Sequence, residues 1–241
     1  MTTTRPWLRS VVEAVVIVGS ILFAFGIQAW WDNEQERQRE RDYLGALLDE
    51  FEQVRDGLPD GWRSRASAVH AHEALLEQIQ GAPRAQEDSL FFWASGASLQ
   101  LSFDPPRAVL DDIVSSGGTQ LIRSDSLRLA LGRYGAAVAR AQYLEGQAWS
   151  TWELRIQPII EGRISRIERI RQGRFAAGRN VPFGPSRHVT DWDSLFRDPA
   201  FEDVIAERWL RLQLVSGQFQ TVSEQVDRLI ELIRRELDGQ G

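Results

Sequence analysis

Residues 205–233 read IAERWLRLQLVSGQFQTVSEQVDRLIELI. Ile205, Leu212, Phe219, Val226 and Ile233 recur every seven residues, and Val215, Val222 and Leu229 fill the companion position. An α-helix turns once in 3.6 residues, so this repeat holds one apolar seam on one face. Four heptads of seam predict a long helix, beginning after Pro199, that packs along other long helices as in a bundle or coiled coil.

Working outward, the preceding segments supply partners of the same kind. Ser124 is a good N-cap for a helix starting near Asp125. Its inward stripe is Leu127, Leu131, Tyr134, Val138, Ala141, Ala148, Trp152, Ile156, Ile159 and Ile160, and the spacing carries it to about Gln172 with a kink at Pro158. Residues 173–191 combine glycine and proline with no apolar periodicity and read as a long loop. Asp104-Pro105-Pro106 starts a short helix that stops at Ser115-Ser-Gly-Gly118. Leu90 to Trp93 form an apolar helical turn, and Leu99, Leu101 and Phe103 alternate as an extended stretch would. Tyr43, Leu44, Leu47, Leu48, Phe51 and Val54 recur at helical spacing. Leu58-Pro59-Asp60-Gly61 is a turn signal, so a separate helix is expected from Asp60 to Gln80, with Ala66, Val69, Leu75, Leu76 and Ile79 inward.

At the start of the chain the pattern changes. From Val11 to Trp31 only Glu13, Ser20 and Gln28 interrupt an apolar run. A helix from Trp7 to Trp30 is roughly 35 Å long, enough to cross a ~30 Å hydrocarbon core. Trp7 at one end and Trp30 with Trp31 at the other match an interfacial aromatic belt. A cleavable signal peptide fits less well, because small residues are wanted where the two tryptophans stand. The predicted fold is therefore all-α. An N-terminal transmembrane helix (residues 1–31 with its tail) continues through a stalk into an extramembrane bundle of long helices (residues 32–241). Arg5 and Arg9 precede the span. Arg37, Arg39 and Arg41 follow only after about two turns, mixed with acids, so the positive-inside rule favours a cytoplasmic N-terminus and a periplasmic bundle on a bacterial inner membrane.

Composition narrows the function classes. All 28 basic residues are arginine, and there is no cysteine. Arginine-only usage points to a GC-rich, bacterial genome. Without lysine there is no Walker-type phosphate loop or Schiff-base chemistry, and without cysteine no thiolate metal site, disulfide or thiol nucleophile. The net charge of −6 argues against nucleic acid. Arg5, Arg9 and Glu13 leave the first 31 residues at +1, so the bundle carries −7.

The chain resembles an uncharacterised family of bacterial single-span membrane proteins, a domain of unknown function. Glu13 and Gln28-Ala-Trp-Trp31-Asp-Asn-Glu34 match its first block. Ser116-Gly117, Leu121-Ile122, Ser124-Asp-Ser-Leu127 and Tyr134 match its second, and Pro199 with Phe201 its last. Trp30-Trp31 stands where asparagine-tryptophan is usual, and the family's lysine-rich stalk is absent. The resemblance implies a membrane anchor with a helical domain and no catalytic residues.

Among candidate sites, Glu13, Ser20, Ala24, Gln28 and Trp31 share one helical stripe, as helix–helix packing in lipid requires. Glu13 also lies one turn beyond Arg9, so a local ion pair is the plainer reading. Together with Trp7 and Trp30 these residues form the candidate membrane-interface and partner contact. His72-Glu73-Ala-Leu-Leu76 misses the zinc-protease helix by one histidine, so His70, His72 and His188 are expected to be exposed and functionally silent. Arg163, Arg166, Arg169, Arg171 and Arg174 interleave with isoleucines. This is either a solvated bundle face with ion pairs or, with Phe175, Phe183 and Trp192 of the adjoining loop, a partner-docking surface. No catalytic constellation, metal set or cofactor fingerprint is present. The expected function is a non-catalytic accessory or assembly subunit of a larger integral-membrane complex, with energy-transducing complexes, photosynthetic or respiratory, as candidate hosts. Its partners are membrane lipid and other integral-membrane subunits. A membrane-tethered sensor or ligand-binding domain is the alternative, and a metal-dependent hydrolase the remote one.

Overall fold

The computed structural model describes the backbone of residues 6–173 and 179–239, with side chains from Val18 onward. Every regular element among these residues is helical. They are α1 (Pro6–Ile79), α2 (Glu87–Ala97), α3 (Ala108–Ser115), α4 (Asp125–Thr151), α5 (Gln157–Ile160), α6 (Arg166–Arg171), α7 (Trp192–Phe196) and α8 (Pro199–Gly239).

The heptad helix is the axis of the bundle. α8 packs along both α1 and α4. Its eight seam residues, Ile205 to Ile233, are all buried. Leu44, Leu47, Phe51 and Val54 of α1 and Leu127 to Ala141 of α4 share one core cluster with Val222, Val226, Leu229 and Ile233. At the other end Leu75 and Trp152 share a cluster with Phe201 and Ile205. Between them Ala68 and Ala148 meet Leu212 and Val215. α8 therefore runs antiparallel to α1 and α4, and the short helices cover the flanks. Ser124 caps α4 as its residue type requires, accepting from the Leu127 N–H at 3.4 Å.

Three expectations are corrected. First, Leu58-Pro59-Asp60-Gly61 does not break the chain. α1 runs through it to Ile79. Pro59 has no N–H for the Arg55 carbonyl, yet packing on both sides outweighs that loss. Leu58 is buried, Trp62 meets Phe219 edge-on at 5.0 Å, and a Cβ at Gly61 would stand 2.6 Å from the Phe219 ring. Gly61 is thus a packing residue and not a turn residue. Gly61→Val is expected to lower stability by ~1–3 kcal/mol through overpacking, read as a shifted denaturation midpoint with unchanged helicity. Second, the inward face beyond it is Arg65, Ala68, Ala71, His72 and Leu75; Ala66 is exposed. Third, α4 does not continue to Gln172. A π-helical turn at Trp152–Ile156 widens the helix ahead of Pro158, the helix ends at Ile160, and Gly162 at φ +74° reverses the chain.

Among the described residues no helix is long and apolar enough to cross a membrane. The apolar run of residues 11–31 enters the described side chains only at Val18.

Candidate functional site

The polar chemistry of the bundle is buried along the α1–α4–α8 contact. Arg65 on α1 and Glu145 on α4 form an ion pair of which both side chains are hidden from solvent. The Arg65 guanidinium lies 3.8 Å from the Phe219 ring centre and donates to the Gly61 carbonyl at 3.1 Å. The second Glu145 oxygen accepts the Phe103 N–H at 2.8 Å. Burial lowers the Arg65 pKa, and the neighbouring carboxylate opposes that shift.

Three turns along, Arg208 is 1% exposed and has no carboxylate partner among the described residues. It donates to the Leu99 carbonyl at 2.9 Å and lies 5.1 Å from the Trp152 ring centre, at the π-turn. Its Nε and one terminal nitrogen have no partner. Burial pulls its pKa down to about 9, so it is charged at neutral pH. His72 is wholly buried beside it, which corrects the expectation of an exposed histidine. Its Nδ1 lies 2.8 Å from the Ala68 carbonyl, so Nδ1 carries the proton and Nε2 is an acceptor without a partner. Burial first, and the Arg208 charge as well, push its pKa down to about 3 against the Ala68 bond. His70 and His188 are exposed as expected.

A lone buried guanidinium differs from a paired one. Arg208→Met removes a desolvated charge with two unpartnered nitrogens, at the loss of one carbonyl bond and one ring contact. Stability is expected to be unchanged or raised by ~1 kcal/mol. A melt of the variant checks this, and a drop of several kcal/mol would show that Arg208 holds a partner after all.

Three more buried side chains share a task with Glu145. Glu50, Glu40 and Glu168 each accept backbone N–H groups from outside their own helix. Glu50 takes Val109 and Leu110 at 2.7 and 3.1 Å, at the start of α3. Glu40 takes Arg123 at 2.7 Å, ahead of α4. Glu168 takes Ser186 at 2.5 Å and binds Arg171 and Gln172. Burial raises the Glu168 pKa, but the Ser186 N–H, the Gln172 amide and Arg171 together outweigh it and leave the pKa lowered. Glutamates at seemingly solvated helix positions give no local signal of this use.

The predicted surface residues are dispersed. Ser20, Ala24, Gln28, Trp30 and Trp31 are exposed along α1; the side chains of Trp7, Arg9 and Glu13 lie outside the described residues. The basic segment faces its own chain. Arg163 pairs with Asp198 and donates to the Ser194 carbonyl. Arg166 stands 4.0 Å from Glu161, Arg169 lies 5.6 Å from the Trp152 ring centre, and Arg171 binds Glu168 at 2.9 Å. Burial lowers the Arg169 pKa, and Arg166 adds to that. Phe183 is exposed, but Trp192 is buried against Phe91 and Phe196, which removes it from the docking surface. Arg174 and Phe175 lie outside the described residues. Among the described residues no group of three or more histidines, cysteines or acids is placed to hold a metal ion.

No family model, curated protein or solved structure matches the chain.

Proposed function

We propose that this chain is a membrane-anchored, non-catalytic interaction subunit that binds and stabilises a larger integral-membrane assembly. One observation carries the reading. Val18, Ile21, Leu22, Phe23, Phe25, Ile27, Trp30 and Trp31 are all at least half exposed on α1, and that helix continues without a break into the bundle. Leaving eight large apolar side chains in water forgoes on the order of 10 kcal/mol of burial. A lipid interior or apolar partner helices recover it. The bilayer is the favoured environment because residues 11–17, apolar but for Glu13, extend the run. The resemblance to single-span bacterial proteins, a periplasmic bundle and an energy-transducing host belong to this proposal. The buried glutamates support it in a second way: each anchors neighbouring backbone, as a scaffold needs.

Fractionation tests the anchor, and co-purification the partner. The full chain is expected to stay with membranes through a high-salt and carbonate wash, and a variant lacking residues 1–31 to be released. In mild detergent it is expected to run with other membrane proteins, and Gln28→Leu or Glu13→Ala to weaken that association several-fold. A full-length chain that runs as a lone monomer from the soluble fraction would overturn the reading.

A further inference from the structure

The arginines of the basic run differ in how far the fold satisfies them. Arg163 has Asp198, and Arg171 has Glu168. Arg166 reaches Glu161 only at 4.0 Å. Arg169 has no hydrogen bond or ion pair among the described residues; its contact is the Trp152 ring, 5.6 Å away. It is half-buried. Burial lowers its pKa and the neighbouring Arg166 charge lowers it further, with no carboxylate opposing them. Its guanidinium is nevertheless open to solvent, whereas two nitrogens of Arg208 are sealed off.

Arg166 and Arg169 line one pocket of about 200 Å³ with Gln157, Glu161, Gly162 and His188. Local structure builds it. The π-turn at Trp152–Ile156 leads into α5, which stops at Ile160, and Gly162 at φ +74° turns the chain so that α6 brings Arg169 back over Trp152. The wall thus holds two cations against one carboxylate. A cationic ligand is repelled by both guanidiniums. An apolar one would strip water from Arg169 and offer no acceptor in return. An oxyanion accepts from both guanidiniums and screens their mutual repulsion. A carboxylate spends its two oxygens on one bidentate fork, but a phosphate has oxygens for two. The volume lies below the ~300 Å³ of drug-sized sites and suits a group of that size.

We propose that the pocket between Gly162 and α6 takes a phosphate, free or as the end group of a small soluble monoester, held between the Arg166 and Arg169 guanidiniums. A lipid headgroup beside the anchor is too distant. Trp152 shares a core cluster with Leu75, which lies roughly 65 Å along α1 from Trp31. That choice of source rests on the membrane reading; the site itself does not.

Calorimetric titration of the full chain in neutral detergent with inorganic phosphate tests the site. One saturable binding event is expected, with acetate several-fold weaker. Arg169→Gln is expected to weaken phosphate roughly tenfold or more, the worth of hydrogen bonds to a charged group. Arg166→Gln, at an exposed position, is expected to weaken it several-fold and serves should the first variant lose its fold. Glu161→Gln is expected to tighten binding several-fold by removing the competing carboxylate, a gain that a merely structural role would not give. Arg133→Gln, exposed on α4, is expected to change nothing. No saturable binding at tens of millimolar phosphate overturns the proposal, as do unchanged affinity in folded Arg169→Gln or Arg166→Gln, an equal loss in Arg133→Gln, or equal affinity for acetate. In phosphatidylcholine nanodiscs the affinity is expected to be the same with and without added phosphatidic acid; competition by that lipid overturns the assignment to a soluble phosphate. A chain found free of membranes would give the same titration, so the site and the anchor fail separately.

Discussion

Arg65→Met destabilises the bundle by ~3–5 kcal/mol, because it strands the Glu145 carboxylate in an interior it cannot leave. Glu145 keeps the Phe103 N–H but loses its buried cation. The guanidinium contact with Phe219 is lost as well. Glu145→Leu should be costly for the mirror reason, since Arg65 is then left charged among Gly61, Phe103 and Phe219. The double variant Arg65→Met, Glu145→Leu should recover most of the loss, as apolar groups replace both charges together. Chemical denaturation of the four forms gives the cycle. A single-variant loss below ~1 kcal/mol is what an exposed surface pair would give, and it would refute the buried pair. The contrast with Arg208→Met is the sharper point: two buried arginines a few turns apart are expected to answer the same substitution with opposite or very unequal effects, because only one leaves a stranded partner.

The second large effect is acid sensitivity through His72. Its pKa is about 3 in the folded chain against the ordinary 6.5. Below pH 6.5 the unfolded chain takes up a proton that the folded chain refuses, so stability is full above 6.5 and falls as the pH drops towards 3. The loss is on the order of 2–3 kcal/mol by pH 4.5 and ~4 kcal/mol near pH 3. Glu168 acts in the same direction but starts later. Its pKa is lowered from 4.5, so its contribution is lost only as pH falls below that value. The interval from 6.5 to 4.5 therefore isolates the histidine. His72→Gln should flatten the stability curve there. A wild-type curve already flat over that interval would mean that His72 is accessible to protons in the folded state.

The parts of this fold legible in the sequence are those where burial and apolarity coincide. The seam from Ile205 to Ile233 and the stripe from Leu127 to Ile160 needed only a 3.6-residue period, and Ser124 announced its cap by residue type. What stayed hidden is where a polar residue occupies an inward position. Arg65 and His72 break the apolar stripe of α1 beyond Pro59, so the eye rotates the face onto Ala66, which is exposed. Pro59 and Gly61 look like a turn because their local preference is real. It is overridden by the Phe219 ring, more than 150 residues away in the chain. Arg208 stands at the companion position of the seam, seven residues before Val215, and is interior despite its charge. The basic run from Arg163 was legible as charge but not as destination, since its partners Asp198, Ser194 and Trp152 come from other segments. For the candidate site almost nothing was legible: Arg65 and Glu145 stand 80 residues apart in the chain, and their pairing is a property of three-dimensional neighbours alone.

The unbroken course of α1 has a mechanical consequence. Each residue of an α-helix advances the chain by 100° and 1.5 Å, and nothing between Trp31 and Glu40, where burial begins, can absorb a twist. The azimuth of the Ser20–Gln28 face is thus geared to the azimuth of the bundle. Inserting one residue after Glu36 would swing the whole bundle by about a quarter turn relative to that face. Inserting seven would nearly restore the alignment while lifting the bundle by about 10 Å. Orientation, not only attachment, is written into the length of this segment.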